Sequence, residues 1–395
     1  MVEEFKNTDA GIIPLDWQVL KLSIISDFEN GKAHEQFIDD KGDYIVVNSK
    51  FISTEGNVKK FSKINLSPLL KGNIVIVMSD IPNGKALAKC FLVERDNLYT
   101  LNQRIGCIKP YVDIDNDYLF YKLNRNKYFL SFDSGAGQTN LKKNEILDCP
   151  VALPPTKAEQ TAIATVLNDT DALITQLEKL IAKKRNIKQG AMQELLKPKD
   201  GWKVKTLREM ALFRRGSFPQ PYGLPEWYDD ENGMPFVQVF DVDGNMKLKE
   251  TTKQKISDLA KSKSVFVEKG TVILTIQGSI GRIAITQYDS YLDRTLLIFT
   301  NYLIPMDKVF FMYMVFQLFQ IEKQRAPGGT IKTITKDKLS EFEIHYPKIN
   351  EQEKIAKIIS DMDSEIEALE KKLEKYKMLK QGMMQNLLTG KIRLI

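Results

Sequence analysis

Apolar residues recur in steps of three and four along two long stretches of this chain. In 155–196 the stepped positions are Ile163, Val166, Thr170, Leu173, Leu177, Leu180, Lys184, Ile187 and Ala191. In 347–388 they are Ile355, Ile359, Met362, Ile366, Leu369, Leu373 and Tyr376. This spacing predicts two helices, each with a single apolar stripe. Pro155 and Pro347 stand near the starts, where a missing N–H costs little, and Pro198 stops the first helix. At ~1.5 Å per residue each would run roughly 60 Å, too slender a rod to bury its stripe alone. The two stretches also align without a gap, residue 347 against residue 155, with 19 of the paired positions identical. The identities include Glu159/Glu351, Gln160/Gln352, Asp169/Asp361, Asp171/Asp363 and Lys188-Gln189-Gly190/Lys380-Gln381-Gly382. A repeat on this scale divides the chain into two halves, and the best partner for each helix is the other copy.

The segments between the helices read differently. In 1–154, strand-like runs at Tyr44–Val47, Asn73–Met78, Ala86–Val93 and Ile105–Ile108 are separated by Gly or Pro turns. A helical stretch at 117–126 and a Gly-rich polar loop at 134–140 follow. The block 198–346 repeats the plan. Trp202 answers Trp17, Gly216 answers Gly31, Lys269-Gly270 answers Lys71-Gly72, Arg294 answers Arg104, and Phe310–Tyr313 answers Tyr118–Tyr121. Strand and helix cores match while the polar loops differ, which predicts one scaffold carrying two binding specificities.

The predicted fold class is α/β (α+β): two tandem globular domains, 1–154 and 198–346, separated by two long helices, 155–197 and 347–395 with its tail. The helices are expected to pair as an antiparallel coiled coil, making a pseudo-twofold internal repeat, since a duplicated unit closes most simply that way.

Composition narrows the function. A net charge of +6 is compatible with a polyanionic partner without requiring one. Cys90, Cys107 and Cys149 are isolated, which excludes a zinc knuckle or disulfide framework and fits a reducing cytoplasm. The longest apolar run, 309–319, is about half of a ~20-residue membrane span and reads as a buried helix. No partner at metal-ligand spacing accompanies His34 or His345, the loop 134–140 lacks the Lys-Ser/Thr ending of a phosphate-binding loop, and no GxSxG elbow occurs. The many carboxylates fall on charged helix faces, where solvation is the expected state.

What remains is binding. Lys50, Lys59, Lys60, Lys142, Lys143, Arg214, Arg215, Lys332 and Lys336 lie in or beside loops, where cations neutralise phosphates. Asn48, Gln103, Gln138, Asn140, Gln238 and Gln277 offer amides of the kind that pair with adenine, and Arg104, Arg282 and Arg294 offer guanidinium forks suited to guanine. An Arg beside a strand equally braces a carboxylate, as Arg294 next to Asp293 is expected to do.

The residues Gly11-Ile-Ile-Pro-Leu-Asp-Trp17, Leu101-Asn-Gln-Arg-Ile-Gly106, Pro155…Glu159-Gln160, Lys188–Leu196 and Lys380–Leu394 resemble the specificity subunit of type I restriction–modification systems, over nearly the whole chain. The resemblance implies two target recognition domains that each read one half of a split double-stranded DNA site, with the helices as a spacer. It implies a non-catalytic, cytoplasmic chain, with no membrane association, that recruits two methyltransferase subunits and restriction subunits. S-adenosylmethionine, ATP and magnesium would be held by those partners and no cofactor by this chain. Gln189, Gly190, Gln381 and Gly382 would lie on the partner-binding face, although tight helix–helix packing explains the two glycines equally well. The alternatives are a coiled-coil scaffold joining two protein-binding domains, and an enzyme with an unfamiliar site.

Overall fold

The computed structural model describes residues 4–81, 84–135, 137–325 and 334–394. It divides into two compact units, Met1–Lys179 with Glu370–Ile395, and Leu180–Leu369. The predicted boundaries set the helices apart from the domains. Each unit holds one of those domains and a portion of both long helices.

In the first unit a four-stranded antiparallel sheet runs in the order Ser26–Asn30, Ile105–Pro110, Ile74–Val77, Cys90–Leu92. The four consecutive apolar residues of Ile74–Val77 are all buried, as a strand covered on both faces requires. Cys90–Leu92 is shorter than expected because Ala88 takes a left-handed backbone (φ 56) and breaks the run. A second, mixed sheet places Tyr44–Val47 between Tyr99–Leu101, which is parallel to it, and Phe61–Ser62. The predicted helix at 117–126 spans Asn116–Leu123, with Asp115 as its N-cap.

The second unit repeats this order. Ala211–Arg215, Leu296–Tyr302, Val272–Thr275 and Ile283–Ile285 make the antiparallel sheet. Met234–Val237 lies parallel to Ser290–Leu292 in the other. The apolar run at 309–319 is the core of a helix, Lys308–Arg325, with Phe310, Phe311 and Phe319 fully buried. Among the described residues no helix is long and apolar enough to cross a membrane.

The long helices are Lys157–Leu195 and Ile349–Leu387. In the first unit Asp171 meets Lys380 at 2.6 Å and Glu178 meets Lys377 at 3.1 Å. In the second, Lys184 meets Glu365 at 2.6 Å and Lys188 meets Asp363. Rising numbers on one helix meet falling numbers on the other, so the pairing is antiparallel within each unit. The stripe of the first helix differs from expectation. Ile163, Leu167, Thr170, Leu177, Ile181 and Met192 are buried, whereas Leu173, Leu180 and Ile187 are exposed. A pair of helices has one shared seam, and the wider apolar face of this helix overruns it.

The polar identities of the repeat dock each domain onto the helices. Gln160 Oε1 accepts the backbone N–H of Asp115 and Gln352 Oε1 that of Asp307, both at 3.0 Å. Glu159 is buried and held by Arg393, which also forms a bidentate pair with Asp16 at 3.0 Å. These carboxylates are structural partners, not the solvated face the charge pattern predicts.

Candidate nucleic-acid interface

The parallel strand pairs organise the candidate interface. In the first unit Val47 is in register with Leu101, and in the second Val237 with Leu292. The chain leaves each pair through the same turn. Asn102 N–H donates to Val47 O and Asp293 N–H to Val237 O, both at 3.1 Å. On the far side of the turn, Met78 N–H donates to Arg104 O at 3.3 Å and Ile276 N–H to Thr295 O at 3.0 Å.

Gly31 and Gly216 close over these turns, donating to Ile105 O (3.1 Å) and Leu296 O (3.0 Å). A Cβ at Gly31 would stand 2.1 Å from Asn102 O, and one at Gly216 2.3 Å from Leu292 O. Only glycine lets the backbones approach so closely.

This register corrects the sequence alignment. Ile105 pairs with Val77 and Leu296 with Thr275, so Asn102-Gln103-Arg104 matches Asp293-Arg294-Thr295. The counterpart of Arg294 is Gln103, and that of Arg104 is Thr295. The loops drift in length, so two arginines one position out of step look equivalent in the sequence.

Around the first turn, Asn48, Lys50, Gln103 and Arg104 follow the ends of the parallel strands. Asn48 is the N-cap of the helix Ser49–Ser53, its Oδ1 accepting Phe51 N–H at 2.9 Å. Lys50, Gln103 and Arg104 are exposed, with Gln103 Nε2 3.4 Å from Glu35 Oε1. The strand Ser79–Asp80 continues from Met78 and pairs with Thr139–Asn140. There the Gln138 amide donates to Ser79 Oγ at 2.6 Å, and Asn140 and Lys142 are exposed. The turn 102–104 and the loop 138–142 therefore flank one segment, since Met78 bonds Arg104 on one side and Leu141 on the other. Lys59 and Lys60 are exposed ahead of the strand Phe61–Ser62, on the other sheet.

Around the second turn are Gln238, Gln277 and Arg294. Gln238 Nε2 donates to Tyr222 Oη at 2.6 Å, and Gln277 is exposed directly after Ile276. Arg294 does not brace Asp293. Its guanidinium lies over the Tyr222 ring, 5.7 Å from the centroid, while buried Asp293 takes Tyr222 Oη at 2.8 Å and the Thr295 N–H at 2.9 Å. Burial and the Asp293 carboxylate beside it push the Tyr222 hydroxyl well above the usual tyrosine range. Arg214 and Arg215 are exposed at the end of their strand. Arg282 donates to Val242 O at 2.9 Å and lines a cavity of about 360 Å³ with Phe316 and Phe319.

Lys143 and Lys336 hold equivalent positions, over the rings of Phe28 and Phe213 at 5.9 and 5.4 Å. Both are exposed. Lys332 lies outside the described residues.

On the long helices, Gln189, Gly190 and Gln381 are exposed and Gly382 is half-buried. A Cβ at either glycine would meet nothing, so helix–helix packing does not explain them. The residues that sequence reasoning missed are Tyr222 and Glu35. Tyr222 was detectable in principle, since Phe218-Pro-Gln-Pro-Tyr-Gly has no counterpart in the first block.

Two domain repeats with parallel strand ends that carry different polar side chains define a paired recognition module. The model of the type I restriction modification DNA specificity domain matches this chain twice, over residues 14–189 and 199–377, and the chain belongs to that family. It is 26% identical to the type I restriction enzyme MjaVIII specificity subunit of Methanocaldococcus jannaschii, over 99% of this chain and 96% of that one. Its fold is similar to that of the type I restriction–modification S subunit of M. genitalium. That match has a TM-score of 0.63 at 16% identity and covers 94% and 96% of the two chains. A chain from a structure concerned with complex assembly and conformational transition of a type I R-M system matches with a TM-score of 0.56 at 15% identity, over 96% and 99%.

Proposed function

We propose that this chain selects a bipartite, asymmetric DNA sequence for a type I restriction–modification complex, each unit reading one half-site. The observation that carries this reading is the pair of equivalent strand-end turns. The backbone hydrogen bonds are the same, but Asn48, Asn102 and Gln103 stand in one unit where Gln238, Asp293 and Arg294 stand in the other. Equal frameworks with unequal side chains suit two readers of different base sequences. Exposed lysines and arginines beside both turns suit phosphate contacts.

The chain itself is non-catalytic in this reading and works in the cytoplasm. Two methyltransferase subunits and the restriction subunits supply the chemistry, with S-adenosylmethionine, ATP and magnesium bound there. The exposed apolar residues Leu173, Leu180, Ile187, Met378 and Leu379 on the long helices, with the open glycines, favour a partner surface on those helices.

The test is the adenine methylation map of the host with and without this gene. Loss of one split motif with a fixed gap is the expected result. A map unchanged in a host that expresses the complex would sink the proposal. A scaffold joining two protein-binding domains predicts no sequence-dependent retention on DNA by the assembled complex. The helices as spacer predict that four residues inserted after Leu180 change or abolish the preferred gap.

A further inference from the structure

The second unit carries a polar network with no counterpart among the described residues of the first. The Tyr222 hydroxyl donates to Asp293 at 2.8 Å, so its proton points to the carboxyl group. The lone pairs of that oxygen then face the Gln238 amide, which fixes Nε2 as the atom at 2.6 Å and turns Oε1 away. Gln238 Oε1 is enclosed and has no hydrogen-bond partner. Above the same ring sits the guanidinium of Arg294, with no carboxylate paired to it among the described residues. A buried carboxylate is costly to place in a fold. Here it holds an aromatic platform beneath an exposed cation, which adds little to stability. At the matching backbone position the first unit has the neutral amide of Gln103, with Asn102 where Asp293 stands.

We propose that Arg294 reads a guanine edge in the half-site bound by the second unit, and that Tyr222, anchored by Asp293, is the residue that positions it. This rests on the split-site reading above. A guanidinium held over an aromatic face keeps its planar fork free for the O6 and N7 acceptors of guanine. Tyr222 restricts the side chain before binding, so less rotamer entropy is lost on contact. Equivalent positions 103 and 294 are thereby one point at which the two units differ in base preference.

The experiment uses the full chain assembled with its methyltransferase subunits, and maps methylated sites on a library of plasmids randomised across both half-sites. Wild type should show a G·C pair in the second unit's half-site. Arg294→Lys keeps the charge but loses the fork, and Arg294→Gln loses both. Each should reduce discrimination at that one base pair by on the order of tenfold or more and leave the other half-site intact. Tyr222→Leu, which removes the ring from a partly exposed position, should relax the same base pair and no other.

An Arg294→Lys motif identical to wild type at every position would assign Arg294 to a phosphate and overturn the proposal. Relaxation spread over both half-sites would also overturn it, because a reading contact is local. If wild type itself methylates without any motif, the split-site reading fails first and this inference with it.

Discussion

The hydroxyl of Tyr313 donates to the carboxylate of Asp363, and 192 residues earlier Tyr121 donates to Asp171 at 2.7 Å. Each carboxylate also holds a lysine from the opposite long helix, Lys188 on Asp363 and Lys380 on Asp171. Each lysine lies over its tyrosine ring, at 5.4 and 5.5 Å. One clasp thus ties a domain helix to both long helices, and it occurs once in each unit. Tyr121→Phe and Tyr313→Phe each remove one donor from a partly enclosed carboxylate. Each should lower stability by ~1–2 kcal/mol. Urea denaturation checks this, and an unchanged midpoint in both variants would mean that the clasps carry no stability.

Arg393 holds buried Glu159, which is 4% exposed, and exposed Asp16 together, with its guanidinium over the Trp17 ring. Removing one partner of a buried pair leaves an uncompensated charge, so Arg393→Ala should cost ~3–5 kcal/mol. Adding Glu159→Gln to that variant should recover part of the loss, since the orphaned charge is gone. A double variant no more stable than Arg393→Ala would show that packing on Trp17 dominates.

The ammonium of Lys122 donates to Leu388 O at 3.0 Å inside the first unit, and burial pulls its pKa down to about 8. The Cys149 thiol opposes that shift electrostatically and is itself pushed up to about 12 by burial. Between about pH 8 and the ordinary lysine value, the unfolded chain binds a proton that the folded chain does not. Stability contributed by this group therefore rises with pH across that window and is flat below it. Chemical denaturation from pH 7 to 10 should show wild type gaining on Lys122→Met as pH increases. Parallel profiles would refute the assignment.

Gly190 and Gly382 occupy helix interiors with open space where a side chain would go. Gly190→Ala and Gly382→Ala should each raise the stability of the free chain by ~1 kcal/mol. Tryptophan at either position should leave the free chain folded and weaken assembly with the methyltransferase subunits. Calorimetric melting and analytical ultracentrifugation separate the two effects. Normal assembly with tryptophan at both positions would remove the helices' glycine face from the partner surface.

The duplicated helices and the buried strand Ile74–Val77 were legible because period and burial are local properties of the chain. The match of Gly31 to Gly216 was legible for a similar reason, since a close backbone approach tolerates only glycine. The pairing of Arg294 with Gln103 was not, because one residue of loop drift hides a correspondence that only hydrogen-bond register reveals. The carboxylates of the repeat also read as solvated. Their partners Tyr121, Lys380 and Arg393 are distant in sequence, and no local pattern announces a contact across 50 to 234 positions.

The sequence by itself therefore determined the repeat, the helix–domain alternation and the two unlike sets of polar loop residues, since all three follow from periodicity and composition along the chain. Only the tertiary structure decided which polar residues are tied into the fold and which are presented on exposed turns. Asp171, Glu159 and Gln160 are held by neighbours, while Arg104 and Arg294 are exposed on matched turns. That division depends on which side chains folding brings within hydrogen-bond reach, a property of the packed chain that residue order alone does not carry.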